Sequence, residues 1–482
     1  MRRVGVVRAS RTGRALVAAL VVVMSTAGTA GAAEGPVLTY VVNAGPGGSV
    51  EGVREAVVRA GGTVTAGYDR IGVLVARSDN PDFAATLRPV PGVASVGATR
   101  TAPLTAARDA EADAAGERRT AQDPLEPQQW EMRAVKADRA HARTLGRRDV
   151  TVAVLDVGVD DTHVDIAPNF DREASANCVG GSPDPSEGAW RPPRPTTSHG
   201  TSVAGIVAAA KNGVGTVGVA PGVRVAGVKV ASGGMFYAEA VVCGLVWATD
   251  HGADVTNMSF YSDPWYFNCV DDPDQKALLE AVNRAVRYAE SRGVVNVAAA
   301  MNDNFDLAAP TIEDRFSPGD SSPVTRVVDR SRCFVSPTEA PGVIAVAATG
   351  AHDLKSSYSN HGLGIVDVAA PGGEVEDYQQ PSAPAESNQI LAPVPGGWQH
   401  TVGTSMAAPI VAGVAALIKS VRPHATPAQV RSLLFRGARP LPCPPHYDFD
   451  HDGTADAVCS GTSSYNGFYG HGLVDALTAV TR

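Results

Sequence analysis

The sequence predicts an α/β protein: a doubly wound, mostly parallel sheet with helices on both faces, preceded by a small α+β unit. Two observations predict this. From about residue 124 onward, short continuous runs of Val and Ala alternate with helical patterns. Strands buried on both faces and joined by crossover helices read that way. Ahead of them, residues 37 to 102 hold strand and helix signals in the order β-α-β-β-α-β.

In that first unit, Val37 to Asn43 reads as a strand and Val50 to Ala60 as a helix, stopped by Gly61-Gly62. Thr63 to Tyr68 and Ile71 to Ala76 read as two strands, Phe83 to Arg88 as a short helix, and Val93 to Val96 as the start of a last strand. The order is ferredoxin-like. Residues 104–123 are Ala-rich and charged with no apolar face, the composition of an exposed linker open to proteolysis.

The first 33 residues stand apart. Arg2, Arg3, Arg8, Arg11 and Arg14 form a basic stretch, Ala15 to Met24 a short apolar one, and Ala30-Gly31-Ala32 a small-residue cleavage site. This is the pattern of a secretory signal peptide, too short to span a bilayer. Its removal takes five arginines and no acids, moving the formal charge from -9 to -14. So acidic a chain is a poor match for nucleic acid or an anionic membrane. The apolar run Met406 to Ile418 is also too short for a span and is followed by Lys419. A secreted, extracellular monomer is expected.

In the larger unit, Asp149 to Leu155, Val223 to Val230, Asp254 to Phe260, Val294 to Ala300, Val343 to Thr349 and Ile365 to Ala369 read as strands. His199 to Ala210, Ala238 to His251, Gln275 to Arg292 and Ser405 to Lys419 read as helices. Thr426-Pro427-Ala428-Gln429 opens another, with a capping box and Pro at the first position. Pro-rich or polar insertions fill 180–197, 261–274, 303–340 and 372–398. Loops outside strand ends are where an α/β enzyme binds its substrate.

Three residues carry candidate chemistry. Ser405 lies in Gly-Thr-Ser-Met-Ala-Ala-Pro409, at the start of an apolar helix. Unpaired N–H groups and the helix dipole there stabilise developing negative charge. A hydroxyl needs a base, and the base an orienting carboxylate. His199 stands at a helix start in His-Gly-Thr-Ser-Val-Ala-Gly205, and Asp156 ends a buried strand in Val152-Ala-Val-Leu-Asp-Val-Gly158. Alone, each has an ordinary reading as a cap or turn residue. Together, in this order, they form a nucleophile, base and orienter.

These motifs resemble those of the subtilisin family of serine proteases. The resemblance implies that Ser405 attacks a peptide carbonyl, His199 moves the proton and Asp156 holds the imidazole. It places Asn302, at the end of Val294-Val-Asn-Val-Ala-Ala-Ala-Met-Asn302, as the oxyanion donor. Asp254-Val-Thr-Asn-Met-Ser259 and the following Phe260 and Tyr261 would line the substrate cleft. Gln129-Trp130, Ala369-Ala-Pro-Gly372 and Gly470-His-Gly-Leu-Val-Asp-Ala476 are further similarities. The implied organisation is signal peptide 1–33, inhibitory prodomain 34–103, maturation region 104–123 and peptidase domain 124–482. The implied partners are a peptide or protein substrate and the chain's own prodomain, cut off autocatalytically. The sequence departs from the family pattern at Val157, Ser202, Met301 and Phe260-Tyr261. A catalytically silent relative that binds peptides, or an esterase or transpeptidase using the same triad, are the alternatives.

No cofactor is required for this chemistry. Asp448, Asp450, Asp452 and Asp456 alternate around Gly453 as in a calcium loop, but Cys459 stands where a twelfth-position Glu is expected. A structural calcium site and a solvated acidic turn both fit. Six cysteines in an exported chain suggest disulfides. Cys443–Cys459 would close a short polar loop, and Cys269–Cys333 would join two insertions. Cys178–Cys243 follows by exclusion, with a buried Cys243 thiol as its alternative. His163 is expected to be structural, and the sequon Asn257-Met258-Ser259 to be a chance match in a buried strand.

Overall fold

The computed structural model describes residues 35–46, 48–103, 123–193, 197–375 and 387–481. The signal segment, residues 104–122 of the linker and parts of the 180–197 and 372–398 insertions lie outside them.

Seven strands form the main sheet, in the order Val368–Pro371, Val343–Thr349, Val295–Ala299, Val255–Met258, Thr151–Asp156, Arg224–Lys229 and Ala176–Asn177. All pairings among them are parallel. The alternation of a strand sends its side chains to two separate cores. From Thr151–Asp156, Val152 and Val154 enter one core with the helices His199–Ala208 and Thr404–Val421. Ala153 and Leu155 enter the other, with Ala238–Asp250 and Pro273–Ser291. A sheet covered on both faces explains why these strands read as unbroken apolar runs.

The helix Thr404–Val421 is longer than its apolar core suggested. By length and composition alone it could cross a membrane, but 94% of it is buried inside the protein. Lys419 lies within it and donates to the Gly293 carbonyl at 2.9 Å, so it does not mark the helix end.

The N-terminal unit is a four-stranded antiparallel sheet in the order Thr63–Tyr68, Val73–Ser78, Leu38–Ala44, Val93–Ala98. The third strand in sequence starts two residues later than expected. Asp69–Ile71 form a 3-10 turn closed by Gly72, whose φ of 63° suits glycine. One face of the sheet covers its own core, built around Val42, Val57, Leu74, Phe83 and Leu87. Val41 and Val73, on the other face, join the core beneath Ala238–Asp250 and Pro273–Ser291. Asn43 donates to the Ala277 carbonyl at 2.9 Å, and Arg284 to the carbonyls of Ala44 and Gly72 at 2.7 and 2.9 Å.

The insertions are more ordered than their composition suggested. Within 303–340, Thr311–Asp314 pairs with Arg326–Asp329, and Cys333-Phe334 pairs with Asn268-Cys269 of the preceding insertion. Ile390–Val394 and Gly397–Thr401 form a hairpin. Disulfides join Cys178 to Cys243, Cys269 to Cys333 and Cys443 to Cys459, leaving no free cysteine among the described residues.

Candidate active site

The strand Thr151–Asp156 lies between Arg224–Lys229 and Val255–Met258, where the order of the sheet reverses. In open parallel sheets that crevice, beyond the carboxyl ends of the strands, is the natural binding site. Asp156 is the last residue of its strand, Ser259 follows the next, and Asn302 follows Val295–Ala299. The residues singled out from sequence therefore emerge at one end of the sheet.

Asp156 is fully buried. Its Oδ1 accepts the Val157 N–H at 2.7 Å and lies 2.8 Å from His199 Nδ1, and its Oδ2 lies 3.0 Å from the same nitrogen. A carboxylate that receives Nδ1–H leaves Nε2 with the lone pair of a base. Burial disfavours the imidazolium, but the charge of Asp156 and its hydrogen bond outweigh this, so the pKa of His199 is raised above its usual value. His199 opens the helix His199–Ala208 with its side chain 36% exposed, whereas the nine residues after it are buried.

Ser405 sits in the first turn of Thr404–Val421. Gly403 before it has φ 142°, a conformation for glycine. Pro409 follows four residues on and has no N–H to give to the Ser405 carbonyl. That carbonyl instead accepts the Ser259 hydroxyl at 3.0 Å, which ties the helix start to the neighbouring strand. The Ser405 hydroxyl donates to the Ser259 carbonyl at 3.3 Å, not to the imidazole. A hydrogen bond between a nucleophile and its base is often long or poorly aligned until a substrate is bound.

The Asn302 side-chain oxygen accepts the N–H and the hydroxyl of Thr404, both at 2.9 Å. An oxygen fixed by a backbone N–H assigns the other end of the amide as the NH2 group. Met301 adopts φ 77° without being glycine, yet it is not crowding the site with its side chain, which is buried in the core. Its N–H donates to the Thr404 hydroxyl at 3.1 Å, and its carbonyl accepts the Asn360 N–H at 3.0 Å.

Among the expected cleft residues is Phe260. It is buried and stacked on Phe236, with ring centroids 4.3 Å apart, so strand alternation turns it away from Tyr261 and into the opposite core. Tyr261 is half-buried and packs on Tyr266 at 4.7 Å, so its ring joins a wall with Phe305 and Phe316. Sequence reading missed Thr404, Tyr266 and Asp303, whose carboxylate accepts the Tyr266 hydroxyl. Only the position of Asp303 beside Asn302 pointed to it.

Elsewhere, His163 is enclosed, with Nε2 2.9 Å from the Gly397 carbonyl and Nδ1 accepting the Asp165 N–H. Asn257 is fully buried, which excludes glycosylation in the folded chain. Asp448, Asp450 and Asp456 bring one carboxylate oxygen each within 4.8 Å of one another. Asp452 is not in that group and accepts the Thr454 N–H at 2.6 Å. Asp448 Oδ1 is buried without a hydrogen-bond partner, an arrangement that fits an oxygen-seeking cation.

The profile of the subtilase family matches residues 147–472. Subtilisin Savinase of Lederbergia lenta is 33% identical over 313 residues, 65% of this chain and 91% of the relative. M-protease of Shouchella clausii (strain KSM-K16) is 33% identical over 306 residues, and the match spans only 63% of its length. Among solved structures, the epidermin leader peptide processing serine protease of Staphylococcus aureus superposes with TM-score 0.67 at 22% identity, covering 92% of this chain and 98% of that one. Fervidolysin from Fervidobacterium pennivorans, described as a keratinolytic enzyme related to subtilisin, gives 0.59 at 23% identity, covering 93% of this chain and 62% of that one. At such identities the likeness concerns the fold. The extent of the profile match and the identity to the subtilisins lead to one conclusion: this chain belongs to the subtilase family.

Proposed function

We propose that the protein is a secreted serine endopeptidase that hydrolyses peptide bonds through Asp156, His199 and Ser405 and matures by cutting its own chain. The observation that carries this reading is the fully buried Asp156 carboxylate on His199 Nδ1 at 2.8 Å. A buried charge is costly unless it does something, and here it orients a base at the mouth of the crevice that holds Ser405.

In this reading His199 Nε2 takes the Ser405 proton as Oγ attacks the carbonyl carbon. The oxyanion is received by the Asn302 amide and the Ser405 N–H. The imidazolium then gives its proton to the leaving amine, and water repeats the sequence to release the acyl group. A rotation of the Ser405 hydroxyl away from the Ser259 carbonyl precedes attack. Residues 34–103 act as an inhibitory unit, supported by their docking on the helices Ala238–Asp250 and Pro273–Ser291. No cofactor enters the chemistry. A calcium ion bound by Asp448, Asp450 and Asp456 would stiffen the 448–456 loop and take no part in the reaction.

Mass spectrometry of secreted wild-type protein and Ser405→Ala tests this. The wild type is expected to label with a fluorophosphonate probe and to lose residues from its N-terminus. Ser405→Ala should neither label nor mature. A wild type that stays unlabelled and full-length refutes the proposal and favours the silent relative. Turnover of esters without peptides would favour the esterase.

A further inference from the structure

We propose that Tyr237 and Glu239 form a subsite for a basic side chain of the substrate, which Arg100 of the N-terminal unit occupies in the precursor. The inference rests on the peptidase reading above and names a substrate class for it.

Arg100 lies two residues beyond the strand Val93–Ala98 and is buried. Its guanidinium carbon stands 4.2 Å from the centre of the Tyr237 ring, and its Nη2 pairs with Glu239 Oε1. The two charged side chains are 4% and 0% exposed. Next to it, Thr101 donates its N–H to Asp320 at 2.8 Å.

Both groups that hold this guanidinium, the Tyr237 ring and the Glu239 carboxylate, belong to the larger unit. Glu239 is in the first turn of Ala238–Asp250, where the helix dipole favours an anion. Cys243, one turn on, is bonded to Cys178, which fixes this end of the helix to the segment that carries Gly181. A Cβ on Gly181 would lie 3.0 Å from that of Glu239. Asp263 and Asp320 add negative charge near Tyr237. The pocket thus has an aromatic wall and an anionic end, both supplied by the larger unit, and a glycine cover at Gly181, whose carbonyl also accepts the Tyr68 hydroxyl of the N-terminal unit at 2.7 Å.

Arg100 does not use the pocket fully. Glu239 Oε2 and Arg100 Nε are both buried without a hydrogen-bond partner. An arginine free to settle could form the two-pronged pairing that a carboxylate offers. Departure of Arg100 leaves a buried carboxylate uncompensated, which favours refilling by another cation. Arginine suits it better than lysine, because its planar head stacks on an aromatic ring.

The pocket is close to the candidate nucleophile. Tyr237 bridges to Asp263, four residues beyond Ser259, which holds the Ser405 carbonyl. Four residues span at most about 14 Å. The pocket thus lies within reach of a peptide with its scissile bond at Ser405, a few residues from that bond.

The test is cleavage of a proteome-derived peptide library by the secreted wild-type protein, with cut sites read by mass spectrometry. Arginine, then lysine, should be enriched at one fixed position near the cut. Paired peptides with arginine or citrulline there should differ about 10- to 100-fold in kcat/KM, the range for a hydrogen-bonded charge. Glu239→Gln should collapse that ratio. Tyr237→Leu should reduce it and serves if Glu239→Gln fails to fold. Cleavage with a ratio near one, or a ratio unchanged in both variants, overturns the subsite and leaves Arg100 as a tether only. A library left intact refutes the peptidase reading and the subsite with it.

Discussion

Thr404 holds the Asn302 side-chain oxygen from two directions, with its N–H and its hydroxyl each at 2.9 Å. The same hydroxyl accepts the Met301 N–H, so one side chain sets both the amide and the backbone that carries it. If that amide receives the oxyanion, Asn302→Ala should lower kcat by about 10²–10³ with little change in KM. Thr404→Ala should lose about tenfold through a misaimed amide, and Thr404→Ser should restore it. Steady-state kinetics on one peptide decide this. Equal activity of Thr404→Ala and Thr404→Ser would mean that the hydroxyl is not positioning Asn302.

The Asp156 charge raises the pKa of His199 above its ordinary value near 6.5. The base works when neutral, so kcat/KM should rise with pH through a midpoint above about 6.5. Asp156→Asn removes the charge that favours imidazolium. The midpoint should then fall to lower pH, while the rate above it drops by about 10⁴ because the wrong tautomer is held. A midpoint that stays in place would show that Asp156 does not face the titrating group.

Met301 sets two magnitudes against each other. Its φ of 77° costs about 1–2 kcal/mol for a residue with a Cβ. Its buried side chain is worth about 2–5 kcal/mol against truncation. Burial outweighs strain, so Met301→Gly should destabilise the protein by about 1–3 kcal/mol. Denaturant unfolding measures this. Stabilisation would mean that strain dominates.

Gly97 faces the body with no room for a side chain. A Cβ there would lie 2.4 Å from the Asp274 carbonyl oxygen and 2.6 Å from its Cα, both backbone atoms. In the full-length Ser405→Ala chain, Gly97→Val should loosen the N-terminal unit. Added trypsin should then digest residues 35–103 faster than in Ser405→Ala alone. Unchanged protection would show that the unit is held elsewhere.

The candidate triad was legible because each member lies in a short local motif at a strand or helix end. The parallel sheet was legible because strands such as Val343–Thr349 are buried on both faces and leave no polar alternation. That Phe260 and Tyr261 turn to opposite cores was not legible, because the side to which a residue turns just after a strand depends on register, which spacing alone does not give. The strands within 261–274 and 303–340 were missed because two to four residues carry no periodicity. The Arg100–Glu239 pair was out of reach for another reason. Its members are 139 positions apart, and a single arginine at the edge of a polar linker has no local signature.

A peptidase meets other copies of itself, and the exposed 450–455 turn is a natural place for a nick. The Cys443–Cys459 bridge spans that turn with a separation of 16 residues. A cut inside it leaves both new ends covalently attached, and the Gly470–Ala476 segment, whose His471, Leu473 and Val474 pair with Asp367, Arg439 and Ala369, stays where it is. The bridge thereby makes the protein tolerant of such a nick: damage at this exposed loop becomes a clipped but still intact molecule.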